Sequence, residues 1–179
     1  LGHQIEIISP DQFRSIPCPT YPEIRLALLP WRTLSRRLDA LKPDAIHIAT
    51  EGPLGRAARA WCLKRRLPFT TAYHTKFPEY VAARFSIPLA WTYGIMRRFH
   101  APAARVMVAT QSIEDELIER EDLGAVCSAA VLAGRSRDRG TTEGWLREAW
   151  PITAPGTGTR LVHCIASPEG ERATGSAFS

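Results

Sequence analysis

The chain has 179 residues, 45% of them hydrophobic and 23% charged, with a formal net charge of +5 at pH 7. That suits one ordinary globular domain with a real core and is short for two; no run of about 18 apolar residues occurs, so no membrane-spanning helix is expected. The basic balance would suit nucleic acid, an anionic membrane face or a phosphorylated substrate, and on its own chooses none of them.

In chain order, Gln4 to Ser9 reads as a short strand ended by Pro10, and Ile24 to Leu28 as a weaker one. Trp31 to Leu41 carries Leu34, Leu38 and Leu41 at helical spacing, and Pro43-Asp44 breaks it. Ala45 to Ala49 is apolar on both faces, as a buried parallel strand needs. Pro53 to Arg66 predicts a helix with proline at its start, where a missing N–H costs least. Pro68 to Tyr73 is the next strand, Lys76 to Phe85 and Leu89 to His100 are helical, and Arg105 to Ala109 is another buried strand. Ser112 and Asp115 then open a helix running to Arg120 in a capping-box-like arrangement. Strands alternating with helices predict an α/β fold, a parallel sheet flanked by helices. Ligands of such sheets bind at the carboxyl ends of the strands, so the loops after Ala49, Tyr73 and Ala109 are the ones to inspect.

The pattern dissolves after residue 123. Eight of the twelve glycines and none of the three lysines fall in residues 124–179. Leu161 to Ile165 would make one short strand, but no partner pattern accompanies it. The expected division is an α/β domain over 1–123 and an irregular tail over 124–179. The tail reads either as a disordered linker or as out-of-frame translation of GC-rich coding DNA. The opening Leu1-Gly2-His3 lacks the basic head and apolar stretch of a signal peptide, and a start on Leu rather than Met points to a fragment. Cys18, Cys62, Cys127 and Cys164 form no CxxC pair, so they read as free thiols in a reducing compartment.

Two loops carry candidate chemistry. Thr50-Glu51-Gly52-Pro53-Leu54-Gly55 follows a buried strand and opens a helix. A helix N-terminus suits an anion or a sugar hydroxyl, Gly52 and Gly55 allow close backbone approach, and Glu51 would accept hydrogen bonds from hydroxyls. The competing reading is a tight turn with Glu51 held by its own helix's amides. In the second loop, Tyr73-His74-Thr75-Lys76, His74 stands just past a strand end and can donate or accept a hydrogen bond near neutral pH. The competing reading makes His74 a helix cap. His47 lies inside an apolar strand and reads as a core histidine, while His3 and His100 have no supporting sequence neighbours. No metal-ligand spacing, Walker, GxSxG or GxGxxG motif occurs. The segment from Ile87 to Phe99 mixes aromatics with Arg97 and Arg98. It reads either as a core-packing helix with a solvated basic face or as a membrane-surface helix.

The run Pro43 to Gly55, PDAIHIATEGPLG, resembles the "PDxIHxxTEGPLG" stretch of family-4-type GT-B glycosyltransferases, and Pro68 to Tyr80 resembles their "PxxxxYHTxFPxY" stretch. Val106 to Ser112 is similar to their "xVxxPS" strand and helix start, with Thr110-Gln111 as a departure. The likeness runs from residue 1 to about 123, with GDP-mannose-dependent α-mannosyltransferases and sulfoquinovosyl-diacylglycerol synthase-like enzymes as the nearest subgroup.

The resemblance implies a hexosyltransferase that moves a sugar from a nucleotide-diphosphate donor to an acceptor hydroxyl, often on a lipid, with retention and without a metal or other cofactor. It makes His74 the catalytic-side contact to the transferred sugar. Thr50, Glu51, Gly52, Tyr73, Thr75 and Lys76 become candidate substrate contacts. It implies one half of a GT-B fold, a Rossmann-like parallel sheet flanked by helices on the acceptor side, cytoplasmic and peripheral at an anionic inner membrane face. No nucleic acid partner is expected, because the arginines are spread over several helices and no aromatic–basic strand platform occurs. The family's first strand with its Gly-rich loop, and its donor-binding domain, have no counterpart in the sequence, so the chain alone is expected not to catalyse transfer. The alternative is a non-catalytic α/β binding or interaction module.

Overall fold

The computed structural model describes residues 4–18, 21–73, 88–108, 115, 117, 126–128 and 160–164. The chain divides into two compact units, residues 1–68 with 156–179 and residues 69–155.

The first unit opens with strand β1 (Gln4–Ile8) and a short 3-10 turn (Pro10–Gln12), then a pair of antiparallel strands, β2 (Ser15–Cys18) and β3 (Tyr21–Ala27). Helix α1 (Trp31–Leu41), strand β4 (Ala45–Ile48) and helix α2 (Pro53–Arg65) follow, and β8 (Arg160–Cys164) returns from the far end of the chain. Helix α1 has the bounds its leucine spacing predicts. It ends because Lys42 takes a left-handed conformation and its N–H bonds the Leu38 carbonyl at 3.0 Å. Strand β4 is buried along its whole length, His47 included. Strand β2 is absent from the sequence expectation: Pro17 lies within it and disguises the pattern, and the pairing shifts register at Pro17/Cys18.

The sheet of this unit is parallel and built around β8. Strand β1 pairs with it from Gln4↔Arg160 to Ile8↔Cys164, and β4 from Ala45↔Leu161 to Ile48↔Cys164. The sequence shows no partner pattern for 161–165, yet the structure gives this strand a partner on each side. Both partners lie more than 110 residues earlier, so no local periodicity announces them. Apart from 126–128 and 160–164, the expected irregular tail and the domain boundary at 123 lie outside the described residues.

Helices α1 and α2 pack together over the core of Ile8, Leu34, Leu38, Ile46, Ile48, Leu54, Cys62 and Val162. Asp39 Oδ1 accepts a hydrogen bond from Trp61 Nε1 at 3.0 Å and from Arg65 Nη2, and the Arg65 guanidinium lies 4.3 Å from the Trp61 ring centre. Arg37 ties α1 to the sheet through Glu6 and to the 3-10 turn through Gln12. On β1, Ile5 and Ile7 stand exposed.

The second unit holds β5 (Phe69–Tyr73), helix α3 (Leu89–His100), β6 (Arg105–Val108) and β7 (Val126–Ser128). Its strands are also parallel, with β6 paired to β5 from Thr70↔Arg105 and to β7 from Val106↔Val126. Tyr73, Met96, Val106, Val108 and Leu117 make its apolar cluster. The expected helix over 76–85 lies outside the described residues; of the one expected after Ser112, Asp115 and Leu117 are described and are helical. Each unit has parallel strands accompanied by helix, and the fold class is α/β, Rossmann-like.

Candidate functional site

The first candidate loop sits where β4 gives way to α2. The last ladder bond before it runs from Ala49 N–H to the Cys164 carbonyl at 2.9 Å. Thr50 is buried, and its Oγ1 accepts a hydrogen bond from Gly52 N–H at 3.2 Å, which folds the turn back on itself. Gly52 caps α2 in an extended conformation, and its carbonyl takes the first helical bond, from Arg56 N–H at 2.9 Å. Proline at the first helical position supplies a preset φ and no orphan N–H.

Gly55 is required by space. A methyl group at its α-carbon would lie 1.7 Å from the Thr50 carbonyl oxygen and 3.0 Å from Ile48 Cγ2. The first turn of α2 is thus pressed against the end of β4, and the helix N-terminus opens directly at the strand's carboxyl end. Glu51 is half-buried, and its carbonyl accepts a hydrogen bond from Arg56 Nε at 3.3 Å. The turn gathers a carboxylate-bearing residue, the exposed cation of Arg56 and a helix N-terminus within a few residues. A sugar ring presents hydroxyls that donate to a carboxylate and accept from N–H groups. Thr50, Glu51 and Gly52 are therefore placed on one turn of the first unit.

Tyr73 belongs to the second unit. Its side chain is 3% exposed and packs in the cluster with Met96, Val106 and Val108, so this ring is held by the core. His74, Thr75 and Lys76 lie outside the described residues.

A buried polar pair underlies β5 that sequence inspection does not reveal. His100 closes α3, is 1% exposed, and its Nδ1 lies 2.8 Å from Thr71 Oγ1. Its ring meets the edges of Tyr73 and Phe99 at centroid distances of 6.1 and 5.0 Å. Twenty-nine residues separate His100 from Thr71, and only the alternation of strand and helix hints that they meet. The contact fixes the strand two residues before Tyr73.

Burial dominates the two inner thiols of the first unit. Desolvation pushes the Cys62 and Cys164 thiols from an ordinary 9.0 up to about 12. Cys62 adds to the cost of charging Cys164, while Arg37 acts the opposite way on it, and Arg65 acts the opposite way on Cys62. Both thiols therefore stay protonated and unreactive at neutral pH. Among the described residues no group of three or more His, Cys, Asp or Glu is placed to hold a metal ion. No described helix is long and apolar enough to cross a membrane.

Parallel strands flanked by helices, with a glycine-bearing turn at the carboxyl end of a buried strand, define a Rossmann-like α/β fold. The sequence profile of Glycosyltransferase Family 4 matches residues 1–125, and the chain belongs to that family. Over 95 residues it is 30% identical to an alpha-monoglucosyldiacylglycerol synthase from Acholeplasma laidlawii, covering 45% of this chain and 24% of that protein. The chain thus spans about a quarter of the length of that curated relative. No solved structure matches it.

Proposed function

We propose that the chain is the acceptor-side part of a glycosyltransferase that moves a hexose from a nucleotide-diphosphate sugar to an acceptor hydroxyl, with retention at the anomeric carbon. Family membership over residues 1–125 supports sugar transfer. The Thr50–Gly52 turn, opening a helix at the end of a parallel strand, carries the assignment of the acceptor side. In the reaction the bond from the anomeric carbon to the departing diphosphate breaks and one to the acceptor oxygen forms, with loss of the hydroxyl proton. Glu51 accepts from acceptor hydroxyls, the amides at the start of α2 donate to them, and His74 contacts the transferred sugar, with Thr75 and Lys76 beside it. The chain by itself does not catalyse transfer, because the donor is held elsewhere in the parent enzyme.

The name of the Acholeplasma relative places its product on diacylglycerol, and a lipid hydroxyl is the acceptor class we carry over. The outward face of α3 fits this reading: Trp91 is 72% exposed and Ile95 49%, with Arg97 and Arg98 exposed beside them. Aromatic and aliphatic side chains beside arginines suit an anionic bilayer surface, here the cytoplasmic one. GDP-mannose is the donor we favour within the nucleotide-sugar class.

The test is an NMR titration of the isotope-labelled chain with acceptor headgroups and, separately, with nucleotide sugars. The reading expects shifts at Thr50, Glu51 and Gly52 with the hydroxyl-bearing lipid headgroup and none with the nucleotide sugar alone. Binding of nucleotide sugar without binding of any acceptor overturns it.

A further inference from the structure

The first unit is closed by a strand from the other end of the chain. Among the described residues β1 and β4 do not pair with one another; each pairs with β8, in parallel and without a register break. Parallel neighbours stand about 4.8 Å apart, so without β8 the gap between β1 and β4 would be roughly 9.6 Å, the width of one missing strand. The slot is also covered on one face. Val162 and Cys164 are fully buried beside Ile46, Ile48 and Ile8, which share their register positions. Helix α2 lies against β8 and β4, and α1 packs beside α2.

The remaining elements of the unit are contiguous from residue 4 to 65, whereas β8 enters after 31 intervening residues that follow Ser128. A strand supplied this way bonds through its backbone on two sides, and side-chain pockets on alternate positions select it.

We propose that β1 and β4, roofed by α1 and α2, form a strand-receiving slot whose ligand is the chain's own segment 160–164, held without covalent help and exchangeable for a peptide of the same sequence. Occupancy also reaches the candidate turn. The Cys164 carbonyl holds the Ala49 N–H one residue before Thr50, so a departing β8 frees the strand end that positions Thr50 and Gly52. The inference stands on strand pairing and is independent of which sugar, if any, the turn binds.

The experiment uses the full chain with a specific protease site introduced between residues 140 and 146. After native cleavage, size-exclusion chromatography with mass spectrometry follows the C-terminal piece. The expected result is co-elution of the piece with the body. A fluorescent peptide of residues 157–168 in excess then replaces it and stays on the body. Val162→Asp, which puts a carboxylate at a fully buried position, releases the cut piece. In the uncut, unaltered chain, alkylation of Cys164 is slower than in urea by about 100-fold or more, since it needs the strand to open. Separation of the unsubstituted piece from a body that keeps its circular dichroism, or failure of the body to take up the peptide, overturns the proposal. So does alkylation of Cys164 in the native uncut chain at the urea rate, a result that does not depend on whether any variant folds.

Discussion

The α-carbon of Gly55 lies so close to the carbonyl of Thr50 that an added methyl group would sit 1.7 Å from the oxygen. The atom in the way is backbone, which cannot rotate aside as a flexible side chain would. Gly55→Ala therefore moves α2 off the end of β4 or distorts the Thr50–Gly52 turn. Overpacking against a fixed backbone costs about 3 kcal/mol or more, which lowers Tm by roughly 6–12 °C in a chain of this size. Differential scanning calorimetry reads the shift. Gly94→Ala is the control, because a methyl there meets nothing within 4 Å, and in mid-helix it stabilises by about 0.5–1 kcal/mol.

Glu51→Ala separates a turn built only for folding from one built for a ligand. The backbone contacts of the turn, Gly52 N–H to Thr50 Oγ1 and Arg56 Nε to the Glu51 carbonyl, do not use the carboxylate. Hydrogen bonds to a charged group contribute about 1.5–3 kcal/mol. Acceptor affinity is expected to fall roughly 10- to 100-fold with Tm changing by only a few degrees. Unchanged affinity removes Glu51 from the site.

The purified chain is expected to transfer no label from GDP-[14C]mannose or UDP-[14C]glucose to diacylglycerol or glycolipid in vesicles, above a boiled control. Measurable transfer would show that the donor is held by these 179 residues and would sink the division of labour proposed above.

What the sequence made legible follows contact range. Helix α1 was readable because Leu34 and Leu38 lie on one face and a break follows Lys42 at Pro43. Strand β4 was readable because four consecutive buried positions leave no polar face. The turn at Thr50 was readable as a strand end followed by proline and glycine, but the reason for Gly55, a carbonyl five residues back, needed coordinates. The pairing of β8 with β1 and β4 was not readable. A pentapeptide with Val162 and Cys164 buried at alternate positions carries little local signal, and its partners are set by topology. The same holds for His100 and Thr71: a histidine at a helix end looks alone until the strand beneath it is in place.

That pair makes its own prediction. Thr71→Val keeps the shape of the side chain and removes the hydroxyl 2.8 Å from His100 Nδ1, leaving a buried ring nitrogen without that partner. The expected loss is about 1–3 kcal/mol. His100→Phe in the Thr71→Val background restores part of it, because removing both polar groups costs less than orphaning one. Urea denaturation of the two single variants and the double gives the coupling; additive losses would mean that the two groups do not interact in solution.

The inner thiols predict how stability depends on pH. Cys62 and Cys164 are raised from 9.0 to about 12 in the folded chain, chiefly by desolvation. Well below pH 9 both states keep these protons, so the thiols confer no pH dependence there. Between about pH 9 and 12 the unfolded chain releases them while the folded chain retains them. The folded state then binds more protons, and stability must fall as pH rises. Two thiols acting together give at most about 2.7 kcal/mol per pH unit. Replacing both by alanine lowers stability at pH 7 by leaving small cavities, yet flattens the alkaline limb, and the opposite signs of these effects separate packing from ionisation. Denaturant midpoints measured from pH 7 to 11 in the parent and the Cys62→Ala/Cys164→Ala variant give both quantities. An equally steep alkaline decline in the variant would assign the loss to other groups and leave the buried thiols without a part in it.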